Sequence, residues 1–203
     1  MKRIGFLTYF SVCIISMVRG HAFADTSANV GFITHFANSD AQIETTCLEN
    51  SQAANRCAVA IKKEGSTRFL LHFPFPPTNI GLSGQIFSIL FPCGTGCSAT
   101  FFYSQTLGLS KPYSLVLAVN TKIGMVLSAS TDALYVYEIF PKTKRASAPV
   151  ARIKLDTSPT SDNMQSLSAI ADGNGFTVRY AREDGKEKVI RWKNTDRTGA
   201  KHD

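Results

Sequence analysis

The chain has little of what metal sites, phosphate sites and hydrolases are usually made of. Its four histidines include no H-x-x-x-H or H-E-x-x-H pair, so zinc ligation is not indicated, and no glycine-rich phosphate loop is present. Gly81–Gln85 (GLSGQ) lacks the last glycine of the hydrolase nucleophile elbow. Asp172-Gly173-Asn174 begins like a calcium loop, but Phe176 occupies the next ligand position. The sequence therefore predicts no catalytic residues, no metal ion and no cofactor.

Long apolar runs are also scarce, and after the amino-terminal segment none reaches the roughly 18 residues of a membrane-spanning helix. The chain begins with Met1-Lys2-Arg3, continues apolar over Ile4–Val18 and reaches an A-x-A site at Ala22-Phe23-Ala24. A basic start, an apolar stretch and a small-residue cleavage site are typical of a secretory signal peptide. We therefore predict a signal peptide over residues 1–24 and export of residues 25–203 as one domain without a transmembrane span.

Acidic residues are outnumbered, with 15 Asp and Glu against 22 Lys and Arg, for a formal net charge of +7. Many basic residues lie in the last third, which ends in a charged segment, 194–203, that we predict to be a frayed tail. Nucleic acid is not a predicted partner, because the chain is exported and lacks the basic and aromatic alternation of RNA-binding segments. Two interpretations stay open: a solvated basic face, or contact with an acidic partner or an anionic envelope surface.

Cysteine is scarce, but its pattern is informative. After removal of the signal peptide four cysteines remain, Cys47, Cys57, Cys93 and Cys97. An even number in an exported chain predicts disulfides. We predict Cys47–Cys57 and Cys93–Cys97, because the cross-pairings require distant loops to meet. Redox or metal-binding thiols are the alternatives, but Cys93 and Cys97 form C-x-x-x-C, whereas thioredoxin-like motifs are C-x-x-C.

The apolar residues form short runs at roughly ten-residue spacing, which is typical of antiparallel all-β domains. The clearest strands begin at Tyr113, Gly124, Ala133 and Val150, and together they predict a meander. Further strands are predicted over residues 30–36, 58–62, 67–75, 86–91, 100–103, 167–171, 176–182 and 187–192. Residues 78–84 are predicted as a loop, residues 40–55 as a short helix or helical loop, and Asp184-Gly185 as a two-residue hairpin turn. The predicted fold is all-β and mainly antiparallel, sandwich-like or meander-rich, disulfide-stabilised, with at most one or two short helices.

Aromatic residues cluster between residues 67 and 140. Most are needed for the core, but some are candidates for an exposed contact, because aromatic side chains are favoured at the centres of protein interfaces. Basic side chains at the rim of such a contact mainly speed association. The predicted partner-binding residues are aromatic side chains of two segments and a basic connection: Phe73, Phe75, Phe101, Phe102, Tyr103, Lys142, Lys144 and Arg145.

The stretch Phe91–Tyr103 (FPCGTGCSATFFY) contains a C-G-x-x-C segment between two predicted strands, and SLVLAVNT and VYEIF follow it. In these features the chain resembles small exported bacterial β-rich proteins with a CGxxC motif, such as periplasmic type VI secretion immunity proteins and lysozyme-inhibitor-like proteins. The resemblance covers about residues 91–140 and carries no functional residue. It implies a binding role in the periplasm.

We therefore predict a non-catalytic periplasmic protein-binding module, most simply an immunity protein that neutralises a secreted antibacterial effector. No set of acid, base, nucleophile or metal ligands converges at a recognisable spacing, and a disulfide-stabilised β scaffold lowers the ordering cost of binding. The alternatives are an envelope enzyme inhibitor of the lysozyme type and an envelope enzyme whose site the sequence does not reveal.

Overall fold

A computed structural model describes the protein over residues 29–37, 39–48, 56–131, 133–142, 148–156, 166–182 and 184–195. The predicted signal peptide and the tail from residue 196 onward lie outside these ranges. Within them, no helix has the length and apolar character that crossing a membrane requires.

Sixteen strands of the described residues form four antiparallel sheets that follow one another along the chain. Sheet A contains β1 (Asn29–His35), β2 (Gln42–Leu48), β3 (Cys57–Lys63) and β4 (Ser66–Phe73). Sheet B contains β5 (Asn79–Ser83), β6 (Ile86–Gly94), β7 (Cys97–Ser104) and β8 (Gly108–Leu109), and β9 (Tyr113–Ser114) pairs with β7. Sheet C contains β10 (Val116–Asn120), β11 (Met125–Ala129), β12 (Leu134–Glu138) and β13 (Ala151–Ile153). Sheet D contains β14 (Ser168–Asp172), β15 (Gly175–Ala181) and β16 (Glu187–Lys193).

Three clusters of buried side chains hold neighbouring sheets face to face. Sheets A and B share a core that includes Ile43, Val59, Phe87, Ile89 and Phe91. Sheets B and C share Phe102, Tyr113, Val126 and Ile139, and sheets C and D share a core that includes Leu127, Leu134, Val136, Phe176 and Val178. Sheets B and C are therefore covered on both faces, which explains why all five residues of β11 are buried. The prediction of a mainly antiparallel, meander-rich all-β fold is confirmed.

The predicted helix over residues 40–55 is wrong where the structure describes it. Residues 42–48 form β2, which pairs with β1 on one side and β3 on the other. Along this strand Ile43 and Thr45 are buried, whereas Glu44 and Thr46 are only half-buried. Pairing on both sides therefore prevailed over a polar local composition that gave no clear strand signal. Residues 49–55 lie outside the described ranges.

Three other local predictions need correction. The loop predicted over 78–84 contains β5, because Ile80 and Leu82 alternate and pack against the core of sheets A and B. The strand predicted from Tyr113 is split into β9 and β10 at Leu115, whose φ of 45° breaks an extended chain. The turn at Asp184-Gly185 has three residues, because the pair closest to the turn is Arg182 and Lys186, joined by a 2.9 Å backbone hydrogen bond.

Both predicted disulfides are present, and they stand in different environments. Cys47 and Cys57 are a directly opposed pair on β2 and β3, and Cys57 is 1% exposed. Cys93 and Cys97 close the tip of the β6–β7 hairpin, where both are exposed. The two glycines between them have φ of 124° and 68°, values that favour glycine.

Tyr113 ties sheet B to sheet C. Its hydroxyl donates to the carbonyl oxygens of Glu138 and Ile139, at 2.6 and 3.0 Å. The Lys111 ammonium lies 5.3 Å from the Tyr113 ring centroid and 4.9 Å from that of Tyr137. Burial raises the pKa of Tyr113 to about 12, with further contributions from Tyr137 and Glu138.

Stability should therefore fall at alkaline pH. The folded pKa of Tyr113 lies above the unfolded value near 10, so the stabilisation is complete below pH 10 and is lost as pH rises towards 12. A shift of this size corresponds to roughly 2–3 kcal/mol. Urea unfolding at pH 8, 10 and 11.5 measures the decline. The Tyr113→Phe variant should lose about 1 kcal/mol at pH 8 and decline less steeply, and an equal decline in both proteins would contradict this assignment.

Candidate protein-binding groove

The connection between β4 and β5 carries the first of the predicted partner-binding segments. Phe73, at the end of β4, stacks on Phe91 with ring centroids 4.2 Å apart and meets Phe101 edge-on at 6.2 Å. Pro74, Pro76 and Pro77 follow, and proline cannot continue a strand ladder because it lacks the N–H. The aromatic contacts thus anchor the start of the connection, and the prolines carry it out of sheet A.

Phe75 projects from this connection and is 41% exposed. The Arg56 guanidinium lies 5.8 Å from its ring centroid, and Arg56 Nε donates to the Pro74 carbonyl oxygen at 3.3 Å. Arg56 immediately precedes Cys57 of the buried disulfide. The cation–π contact and the hydrogen bond from Arg56 therefore both help to hold Phe75 in its exposed position.

Two adjoining cavities run between β1 and this connection, and we call them together the Phe32 groove. Their volumes are about 360 and 330 Å³, and both are lined by Phe32 and Pro76. The first continues to β5 at Ile80, and the second continues to the Cys47–Cys57 disulfide and Arg56. The groove is therefore mostly apolar and has a cation at one end.

One wall of the groove is the side of β1 that faces sheet B. Val30, Phe32 and Thr34 alternate along the strand and pair with Cys47, Thr45 and Ile43, so they share one face of sheet A. Phe32 is 52% exposed although it lies on that face. Within the described residues β1 pairs with β2 only, so the strand stands at the edge of sheet A.

Thr45 forms part of the groove floor and carries an unusual hydroxyl. The residue is 1% exposed, and its Oγ1 has no hydrogen-bond partner among the described residues. A buried hydroxyl without a partner destabilises a fold by about 1–3 kcal/mol. The oxygen itself is covered, so it is a cost to stability beneath the groove and not a contact for an occupant.

Arg56 sets the electrostatics of the groove. It is the one charged residue among the described residues that line the two cavities. Its Nε is engaged by the Pro74 carbonyl, and a guanidinium offers further donors in a planar fork that suits carboxylates. This end of the groove is therefore suited to an anionic group.

The structure brings only some of the predicted partner-binding residues together. None of the predicted aromatic residues lines the two cavities, although Phe73 and Phe75 adjoin Pro74, which does, and Phe101 contacts Phe73. Phe102 and Tyr103 are buried, at 0% and 3% exposure. Phe102 points to the opposite side of sheet B from Phe101 and packs against sheet C.

Only the first residue of the predicted basic rim, Lys142, is described, and it does not line the groove. Phe140, two residues before it, packs in the core between sheets B and C. Lys142 is exposed, and Lys144 and Arg145 lie outside the described residues.

Several basic residues of the last third are engaged in ion pairs. Asp156 accepts from Lys188 Nζ at 2.7 Å and lies 3.5 Å from Arg182 Nε. The hydrogen bond from Lys188 lowers the pKa of Asp156. Arg179 lies 3.4 Å from Glu187. These charges therefore partly compensate one another, which favours the groove over this face as the candidate site.

The sequence pointed to Phe73 and Phe75, which adjoin Pro74, but missed Phe32, Thr45 and Arg56. Two of these come from β1 and β2, and their role depends on which strand stands at the sheet edge. One feature of the sequence could have pointed to Phe32. The segment that forms β1, NVGFITH, has no Lys, Asp, Glu or Pro, the residues that usually protect an exposed edge strand.

A separate and more polar cavity of about 260 Å³ lies at the other end of the contact between sheets A and B. Asp40, Lys63, Gln85 and Gln105 line it, and Lys63 Nζ donates to Gln105 Oε1 at 3.5 Å. In the part of the chain that the structure describes, no group of three or more His, Cys, Asp or Glu side chains is arranged to hold a metal ion.

The chain matches no protein-family model, and no curated protein matches its sequence.

Proposed function

We propose that the protein is a non-catalytic module that binds another protein in the periplasm through the Phe32 groove. The observation that carries this proposal is the half-exposed Phe32 in the wall of an apolar groove. A second half-exposed aromatic side chain, Phe75, lies between two prolines that line the same groove. Exposed aromatic residues beside a concave apolar surface are typical of interface anchors.

The surroundings of the groove favour binding in a second way. The Cys47–Cys57 disulfide links β2 to β3 within the groove lining, and Arg56 links β3 to the proline connection. Groups held in place before binding lose little conformational entropy on association. A rigid groove is therefore suited to tight recognition of one partner.

The partner that we propose is a secreted antibacterial effector, which the protein would neutralise as an immunity protein. This choice rests on the resemblance of residues 91–140 to exported immunity proteins and on the signal peptide predicted over residues 1–24. An inhibitor of a lysozyme-type enzyme would use the same kind of surface, and an activity assay separates the two.

The proposal is tested by protection in cells. Deletion of the gene should sensitise the bacterium to an effector delivered by sibling cells, and the full gene should restore protection. A version without residues 1–24 should fail, because it stays in the cytoplasm. Phe32→Ser should reduce protection strongly, since loss of an interface anchor costs about 2 kcal/mol or more, at least roughly thirtyfold in affinity.

Phe69→Ser is the matched control. Phe69 lies on the opposite face of sheet A and is 53% exposed, against 52% for Phe32. The control should protect as well as the wild type, and circular dichroism should show that both variants are folded. The proposal is wrong if the deletion strain is indifferent to every effector and the purified protein turns over an envelope substrate. Inhibition of lysozyme without any effect on effectors would support the inhibitor instead.

A further inference from the structure

We propose that the Phe32 groove binds an extended peptide segment of its partner, added as a strand to the free edge of β1, with an acidic group at the Arg56 end. This inference rests on the proposed function and specifies its mode of recognition. It is argued from the backbone and composition of β1, the apolar lining of the groove and the charge of Arg56.

The backbone of β1 is the first part of the argument. In an antiparallel pair, N–H and C=O groups alternate between those that face the neighbouring strand and those that face away. All seven residues of β1 pair with β2, and within the described residues no strand pairs with the other side. Alternate backbone groups of β1 therefore face outward and can hydrogen-bond to another extended chain.

The composition of β1 supports the same conclusion. Natural edge strands are usually protected by charge, proline, a bulge or short length. β1 is seven residues long, its pairing with β2 is regular, and it contains no Lys, Asp, Glu or Pro. Ile33 on its outer face is 54% exposed and Phe32 on its inner face is 52% exposed. An added strand would cover part of both side chains.

The groove would receive alternate side chains of that strand. Because side chains alternate across a strand, every second residue of the added segment would point to the same side as Phe32. There it would meet Pro76 and Ile80, which are apolar. The occupant should therefore have apolar residues at alternate positions.

Arg56 gives the occupant its polar feature. Arg56 is the single charge of the described lining and stands at the disulfide end. Charge complementarity therefore favours Asp, Glu or a terminal carboxylate at that end.

A random dodecapeptide library displayed on phage provides the probe. The target is the protein purified from the periplasm after expression of the full chain. Selected peptides should share alternating apolar residues and one acidic residue or a free carboxyl terminus. Synthetic versions are then measured by calorimetry against the wild type, Phe32→Ser, Arg56→Gln and the control Phe69→Ser.

We expect N-methylation of alternate peptide amides to weaken binding about tenfold or more, and methylation of the intervening amides to have little effect. Phe32→Ser should weaken binding by a similar factor, and Phe69→Ser should not. Arg56→Gln should weaken the acidic peptide about tenfold, but not its amide analogue. This pattern would establish strand addition at β1.

Other outcomes would overturn the inference. They are the absence of selected peptides, binding that N-methylation affects without periodicity, and binding that depends on Phe69. A concentration-dependent dimer that Phe32→Ser dissolves would show that a second copy occupies the edge instead. If cell protection needs Phe32 but the peptide results fail, strand addition is wrong and the proposed function stands. If the peptides bind as expected but deletion has no phenotype, the proposed function is wrong.

Discussion

Phe91→Ala should lower the free energy of unfolding by about 3–5 kcal/mol, as is usual for the truncation of a buried aromatic residue. Phe91 is fully buried on β6 at the centre of the core between sheets A and B. Its ring stacks on Phe73 at 4.2 Å and meets Phe101 edge-on at 5.8 Å. The variant loses the burial of one ring and two aromatic contacts, and the surrounding strands cannot collapse fully into the space.

The change has a second expected effect on the groove. Phe73 immediately precedes Pro74, so its stacking on Phe91 helps to position the connection that carries Phe75. Partner or peptide binding by Phe91→Ala should therefore be weaker than that of the wild type even under conditions in which the variant is fully folded.

Urea unfolding followed by circular dichroism measures the stability change. Phe69→Ala is the matched control, because Phe69 is an aromatic residue of the same pair of sheets with 53% exposure. The control should change the free energy of unfolding by less than about 1 kcal/mol. A loss below about 1 kcal/mol for Phe91→Ala would contradict the assignment of Phe91 to the centre of this core.

The strands that could be predicted from the sequence are those whose side chains alone specify the element. Residues 86–91 and 100–103 are rich in aromatic and β-branched residues, and they form the central strands β6 and β7. The disulfides were predictable because a chain predicted to be exported, with two local cysteine pairs, has few alternatives. Local chemistry was sufficient in these cases.

The misassigned elements are those that tertiary pairing creates. Residues 42–48 have a mixed composition, and they are extended because β1 and β3 supply hydrogen-bond partners on both sides. Residues 79–83 carry only Ile80 and Leu82 as large apolar residues, and β6 holds them in register. The side-chain pattern of a segment of five to seven residues does not specify which strands will pair with it.

The groove could be predicted only in part for a related reason. Phe73 and Phe75 were candidates from their local aromatic character, whereas Phe32 and Thr45 became groove residues through the order of strands in sheet A. Phe101 and Phe102 show the reverse case. They are chemically alike, but alternation along β7 sends one towards sheet A and the other into the core with sheet C.

Removal of the Cys47–Cys57 disulfide should destabilise the protein more than removal of Cys93–Cys97. Ten positions separate the first pair and four separate the second. In the chain-entropy model, these loops correspond to about 3 and 2 kcal/mol of stabilisation, since a longer loop restricts the unfolded chain more. Cys57 is also only 1% exposed, so its replacement by alanine leaves unfilled space in sheet A. Cys93 and Cys97 are exposed at a hairpin tip, and their replacement leaves no cavity.

The two double variants, Cys47→Ala with Cys57→Ala and Cys93→Ala with Cys97→Ala, separate these effects by urea unfolding. We expect the first to lose about 3 kcal/mol or more and the second about 2 kcal/mol. The variants should also differ in binding, because Cys47 and Cys57 line the groove and the hairpin tip is not among its lining residues. The hairpin variant should therefore bind its partner as the wild type does at temperatures where it is folded. Equal losses of stability would contradict the argument from loop length and burial. A binding defect confined to the hairpin variant would contradict the placement of the functional surface at the groove.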